Sequence, residues 1–157
     1  MILDVRQTII NYCNTKTKIK CTTLNTYIHT NIYVYSLNIS FNDMADQNVI
    51  MQKKFCRLKN LNCSNNRKVC DVNHLKETLE TLKCIQFSGI DQNGFCKLEK
   101  LKSLTCCLNQ KIKCVSHLSN VLEELYCSEW SGIGQEGINQ LRKLRILNCS
   151  GNSEIYN

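Results

Sequence analysis

The residues best equipped for chemistry in this 157-residue chain are its 12 cysteines and 3 histidines. A thiolate can serve as nucleophile or metal ligand, and an imidazole can activate it or share the metal, provided the spacing brings them together. Zinc sites favour short paired spacings such as C-x-x-C. The chain has none, only the adjacent Cys106-Cys107 and the loose pairs Cys70/His74 and Cys114/His117. His29, His74 and His117 are isolated, and the last two recur at nearly equivalent places in a repeat, which marks them as scaffold. The one adjacent carboxylate pair, Glu123-Glu124, falls in a strand-like segment where neighbours point to opposite faces, so shared acid–base work is not expected. Gly132-Ile-Gly134-Gln-Glu-Gly137 matches G-x-G-x-x-G. A dinucleotide site also needs a long strand, a substantial helix and a βαβ unit of roughly 30 residues, and the equivalent Gly89-Ile-Asp-Gln-Asn-Gly94 breaks the pattern. No catalytic, metal or cofactor site is expected, and the chain does not read as an enzyme.

Five cysteines instead fall on a period. Leu58-Lys-Asn-Leu61-Asn-Cys63, Leu79-Glu-Thr-Leu82-Lys-Cys84, Leu101-Lys-Ser-Leu104-Thr-Cys106, Leu122-Glu-Glu-Leu125-Tyr-Cys127 and Leu144-Arg-Ile-Leu147-Asn-Cys149 are L-x-x-L-x-C copies at steps of 21, 22, 21 and 22 residues. Asn66, Phe87, Asn109, Trp130 and Asn152 occupy one later position, and Val69, Ile90, Ile112, Ile133 and Ile155 another. Two repeat types alternate, one with Asn and one with an aromatic. A divergent earlier copy, Val34-Tyr-Ser-Leu37-Asn-Ile39-Ser-Phe-Asn42, makes six.

A period of two in L-x-C puts both apolar residues on one face of a short strand, and stacked copies make a parallel sheet with that column inside. An Asn side chain can satisfy backbone groups where the chain leaves the strand. Phe87 and Trp130 cannot, so their turns must close differently. Ser88-Gly89 and Ser131-Gly132 follow them and are expected to supply φ freedom. In the return segments, Val72/Leu75, Phe95/Leu98, Val115/Leu118 and Ile138/Leu141 predict short helices or 3₁₀ turns, the longer ones following Asn93-Gly94 and Glu136-Gly137. The periodic cysteines are expected to form a ladder of buried thiols, since parallel neighbouring strands give poor disulfide geometry and free Cys packs as a small hydrophobe. Cys107, on the opposite face of its strand, is the one candidate for redox sensing.

These copies resemble the leucine-rich-repeat family, L-x-x-L-x-L-x-x-N-x-L, with Cys in the third Leu position and one more residue after the Asn. The resemblance covers residues 31–157 and implies an α/β solenoid, with short parallel strands on a concave face and short helices or 3₁₀ turns on the convex one. It implies a protein target held on strand positions flanking the core pair. These are Lys83, Ile85, Thr105, Cys107, Glu124, Tyr126 and Ser128, with Trp130 nearby and Tyr126 as anchor. Alternatively, Trp130 closes its own turn.

Residues 1–30 do not follow the repeat. Leu3-Asp-Val-Arg-Gln-Thr-Ile9-Ile10-Asn-Tyr-Cys13 and Ile19-Lys-Cys21-Thr-Thr-Leu24-Asn-Thr-Tyr27-Ile28 have helical apolar spacing around the break Asn14-Thr-Lys-Thr. One reading is a helical cap on the first repeat. The segment is also similar to a shortened F-box, matched by Ile9, Ile10, Tyr12, Cys13, Leu24 and Tyr27, with Ile2-Leu3-Asp4 where the family has Leu-Pro. Such heads before leucine-rich repeats, in Asn/Lys/Ile-rich chains, are familiar among giant DNA viruses of amoebae. The resemblance implies a substrate receptor of a cullin-type ubiquitin ligase, whose head docks a Skp-type adaptor through Ile9, Ile10, Cys13, Leu24 and Tyr27. The alternative is a stand-alone binding or structural solenoid.

The formal charge of +7 is dispersed, which disfavours a nucleic-acid partner. No window approaches the roughly 20 apolar residues of a membrane span. Asp4 and Arg6 interrupt any signal-peptide core. An intracellular, cytoplasmic location is therefore expected, in the host cytoplasm if the chain is viral. The last copy stops without a return segment, so its strand edge invites an end-to-end dimer.

Overall fold

Each copy of the motif contributes one three-residue strand in the computed structural model, which describes residues 33–156. The strands are β1 (Ser36–Asn38), β2 (Asn60–Asn62), β3 (Thr81–Lys83), β4 (Ser103–Thr105), β5 (Glu124–Tyr126) and β6 (Ile146–Asn148). They pair in parallel, in chain order, as one six-stranded sheet. The register places Leu37, Leu61, Leu82, Leu104, Leu125 and Leu147 side by side. Even the divergent copy at Leu37 therefore falls into line.

Parallel neighbours cannot be joined by a hairpin, so every strand needs a return segment. The returns alternate in kind. After β1, β3 and β5 come one-turn helices α1 (Gln47–Ile50), α2 (Gln92–Phe95) and α3 (Gln135–Ile138), and after β2 and β4 come 3₁₀ turns Asn73–Leu75 and Ser116–Leu118. A further 3₁₀ turn, Lys53–Phe55, follows α1. The fold is α/β with an all-parallel sheet and few short helices.

The helices contain Asn93-Gly94 and Glu136-Gly137; they do not follow them. Asp91 explains the earlier start of α2, because its carboxylate accepts from the N–H groups of Asn93 and Gly94, both at 2.9 Å. Gly94 is required inside that turn, since a Cβ there would lie 1.9 Å from the carbonyl oxygen of Cys70 on the preceding unit.

The core lies between the sheet and the returns. Cys63, Cys84, Cys106 and Cys127 are fully buried beside the leucine column, and Val72, Leu75, Phe95, Leu98, Val115 and Leu118 close it from the return side. Ile138 and Leu141 are partly buried. At the β6 edge burial falls off: Leu147 is 41% exposed where its equivalent Leu125 is 0% exposed.

Three turn expectations meet the structure differently. The Asn positions behave as expected: Asn66, Asn109 and Asn152 are buried and bond backbone groups. Gly89 and Gly132, however, do not have positive φ. They are glycines because neighbouring units approach closely, with a Cβ falling 2.4 Å from the Val69 oxygen at Gly89 and 2.5 Å from the Gln110 oxygen at Gly132. The left-handed residue sits two places after the cysteine, or after Ile39 in the first copy, at Phe41, Asn65, Gln86, Leu108, Glu129 and Gly151. Only the last is glycine, so the common bend outweighs a cost of about 1–2 kcal/mol per residue.

Trp130 does not close its turn; it is 74% exposed. Ser131 takes the interior place, as Ser88 does beside Phe87, and each hydroxyl accepts from a backbone N–H two residues on, Ile133 or Ile90, at 3.4 Å. The hydroxyls also contact the cysteine of the preceding unit, Ser88 Oγ at 3.6 Å from Cys63 Sγ and Ser131 Oγ at 3.9 Å from Cys106 Sγ.

The segment 1–30, with Ile9, Ile10, Cys13, Leu24 and Tyr27, lies outside the described residues. No helix among the described residues is long and apolar enough to cross a membrane.

Candidate functional site

The strand positions that alternate with the buried leucines line up as columns on the open face of the sheet. One column runs Asn60, Thr81, Ser103, Glu124 and Ile146, and the next runs Asn62, Lys83, Thr105, Tyr126 and Asn148. A groove of about 650 Å³ crosses β2 to β5 on this face, and Lys83, Thr105, Glu124 and Tyr126 all line it. Four of the eight sequence-predicted binding residues thus share one depression.

Ile85, Cys107 and Ser128 continue the same face past the strand ends. Ser128 Oγ donates to Cys107 Sγ at 3.0 Å, and Cys107 Sγ donates to the Tyr126 carbonyl at 3.5 Å, so this thiol is tied into the sheet surface. Trp130 is not part of the groove. It borders a separate hollow of about 200 Å³ with Gln110, Lys113 and Glu129.

The wall of the groove carries a feature the sequence reading passed over. The residue just before each of the strands β2 to β6 is Lys59, Glu80, Lys102, Glu123 and Arg145, a column of strictly alternating sign. Glu80 sits between two lysines, 3.0 Å from Lys59 Nζ and 3.1 Å from Lys102 Nζ, and Arg145 reaches Glu123 at 4.0 Å. The lysine bonds hold the Glu80 carboxyl below its usual range. The alternation follows from the 21/22 step and is visible once the copies are aligned. The backbone carbonyls of Lys59, Glu80, Lys102 and Glu123 each accept two N–H groups from the next unit, as Lys102 O does from Glu123 at 2.8 Å and Glu124 at 2.9 Å.

Glu123 and Glu124 were expected to be separated by the strand; both line the groove. Glu123 precedes β5, so strand alternation does not govern it, and it faces Arg145, whereas Glu124 accepts from Ser103 Oγ at 2.9 Å. Lys83 makes no ion pair among the described residues. The groove therefore offers a free ammonium on β3, a carboxylate and a phenol on β5, and hydroxyls between them.

A second group missed in the sequence is the first residue of each helix. Gln92 Oε1 accepts from Lys113 and Cys114 N–H at 2.9 and 3.0 Å while its Nε2 donates to the Cys114 carbonyl at 2.9 Å. Gln47 does the same to Cys70 and Asp71, and Gln135 accepts from Tyr156. These amides clamp each helical return to the next unit.

The cysteine ladder is chemically quiet. The ten cysteines among the described residues are free thiols. Burial pushes Cys63 and Cys127 up to about 12 and raises Cys84 and Cys106 as well, so all four stay protonated at neutral pH. His74 and His117, near-equivalent in the repeat, have their imidazoles shifted down, chiefly by partial burial. His74 Nε2 lies 3.3 Å from the Ile50 carbonyl, and His117 packs edge-on against Phe95 at 5.1 Å between ring centroids. Both are anchored to the unit before them. Gly132, Gly134 and Gly137 belong to the turn and to α3, with Gly134 as its N-cap and no strand leading into it. Among the described residues no cluster of three His, Cys, Asp or Glu could hold a metal ion.

No family model matches the chain, and comparison with curated proteins finds none that matches it.

Proposed function

We propose that this chain is a leucine-rich-repeat-type solenoid that binds a protein segment across the open face of its sheet. One observation supports this reading above the rest: four consecutive strands, β2 to β5, present outward side chains into a single groove, in which Lys83, Glu124 and Tyr126 are accessible while the opposite face is filled by leucine and cysteine. A parallel sheet normally has both faces covered. One whose second face is polar, charged and grooved has a surface suited to a partner. Tyr126 offers a rigid ring with a hydrogen-bonding end, the kind of group that carries binding energy.

The resemblance of residues 1–30 to an F-box extends the proposal to a receptor that brings its target to a cullin-type ligase through a Skp-type adaptor. The test is co-purification of the whole chain with such an adaptor, in parallel with the Ile9→Asp, Ile10→Asp double variant. The proposal expects a complex that the double variant loses while the repeats stay folded. Absence of a complex over a range of concentrations overturns the ligase reading and leaves a stand-alone binding protein. For the face itself, Tyr126→Ala with Lys83→Glu should abolish capture of the target without changing thermal stability.

A further inference from the structure

Phe87 and Trp130 occupy the same place in alternate repeats, and closing the turn does not need them. The equivalent Asn66, Asn109 and Asn152 are buried and bonded, whereas Phe87 is 55% and Trp130 74% exposed. Ser88 and Ser131 fill the interior beside them. Two large rings thus stand in water, at the C-terminal ends of β3 and β5, with one intervening unit whose turn is polar.

From this arrangement we infer a second interaction surface, along the strand-exit edge, that receives a polyproline II segment of another protein with a basic residue at its Trp130 end. Strands two apart in a sheet are separated by about 9.6 Å, and three residues of polyproline II span about 9.3 Å. Backbone bonds carry the sheet stacking into these turns, from Gln86 N–H to the Cys107 carbonyl and from Gly132 N–H to the Asn109 carbonyl, so the two positions match every third residue of such a helix, and aromatic-lined grooves are what proline-rich segments dock against. None of these 157 residues is proline, so none of them supplies the segment.

The two ends of the edge differ in charge. At the Phe87 end the Arg67 guanidinium lies 4.8 Å from the ring centroid, which places a cation there. At the other end the hollow of about 200 Å³ beside Trp130 is bordered by two carboxylates, Glu129 and Glu154, against one ammonium, Lys113. Ser131 and Gly132 also line it. A proline ring fits a hollow of this size, and an arginine or lysine beside that proline meets the carboxylates. The cationic Arg67 end disfavours the reverse orientation.

Trp130 is the only tryptophan, so its fluorescence reports this edge alone. The whole chain is titrated with a synthetic peptide carrying proline at every third position and arginine at one end, and with a scrambled peptide of identical composition. The expected result is a saturable change with the periodic peptide and none with the scrambled one. Phe87→Leu, which keeps apolar bulk but removes the ring, should weaken binding at least tenfold. Glu129→Gln with Glu154→Gln, which alters only charge, should weaken the arginine-bearing peptide and leave an arginine-free version unchanged. No saturable change, or an equal response to the scrambled peptide, overturns the inference. So does a response to oligothymidylate that disappears with salt, which would assign the edge to nucleic acid. Tyr126→Ala should leave the titration unaltered, which separates this surface from the sheet groove.

Discussion

The side-chain amide of Asn109 donates to the carbonyl of Cys84, in the preceding unit, at 2.9 Å. The same amide reaches the Ile90 carbonyl at 3.1 Å, and its oxygen accepts from Lys111 N–H at 3.1 Å. One buried residue thus satisfies backbone groups of two successive units at the point where the first leaves its strand. Asn152 repeats the pattern on Cys127 and Ile133, and Asn66 on Ile39, Asn42 and Ala45. Replacing Asn109 by Ala should leave these groups buried without partners and cost about 2–4 kcal/mol, read by urea denaturation. An exposed Asn such as Asn120 should tolerate the same change with little loss.

Gly132→Ala should be destabilising by overpacking and not by backbone conformation. A Cβ would fall 2.5 Å from the Gln110 oxygen and 2.6 Å from the Ile112 oxygen, both main-chain atoms. The units must separate locally, at about 1–3 kcal/mol. Gly134→Ala, whose added carbon meets nothing closer than 3.6 Å, is the control and should cost much less.

The alternating column Lys59, Glu80, Lys102, Glu123, Arg145 predicts a salt-dependent effect. Glu80→Lys would put three cations on adjacent units in place of two ion pairs. The loss should be about 1 kcal/mol at low ionic strength, as expected for partly exposed pairs, and should shrink markedly in 1 M salt at a Debye length of about 3 Å. Thermal melts at both ionic strengths measure it. A loss independent of salt would mean that packing, not charge, matters at Glu80.

The buried thiols make stability depend on alkaline pH. Burial raises Cys63 and Cys127 to about 12, well above an ordinary thiol, so the folded state holds protons that the unfolded state releases first. Their contribution is complete below the ordinary thiol pKa, roughly 8.5, and is lost as pH rises from there through about 12. Denaturation midpoints should fall over that window. The Cys63→Ala, Cys127→Ala double variant should show a shallower fall.

Much of this was legible in the sequence because one period governs it. The 21/22 step of Leu and Cys located the five strands β2 to β6 and four buried thiols, with Cys149 at the β6 edge only partly buried, and Leu37 located β1. The Asn turns followed from a side chain that can both donate and accept. The alternate turns were obscured, because the conspicuous residue there is an aromatic that points outward while the working residue is the serine after it. The role of Gly89 and Gly132 was hidden for a related reason: glycine signals either φ freedom or close approach, and only the position of the neighbouring carbonyls distinguishes them. Strand alternation put Lys83, Thr105, Glu124 and Tyr126 on one face of the sheet, where they share the depression. Trp130 was misplaced because alternation ends with the strand, and Glu123 because it begins there.

Strand alternation sends one column of side chains into a cysteine and leucine core and the next onto the open face of the sheet. Cys106 and Cys107 are adjacent in sequence and fall on opposite sides of that division, Cys106 buried and Cys107 accessible beside Ser128. Brief alkylation of the native protein, mapped by mass spectrometry, tests it directly. The account predicts label on Cys107 and on the exposed Cys56, Cys70 and Cys96, with Cys63, Cys84, Cys106 and Cys127 unmodified until denaturant is added. Equal labelling of Cys106 and Cys107 in the native protein would contradict it.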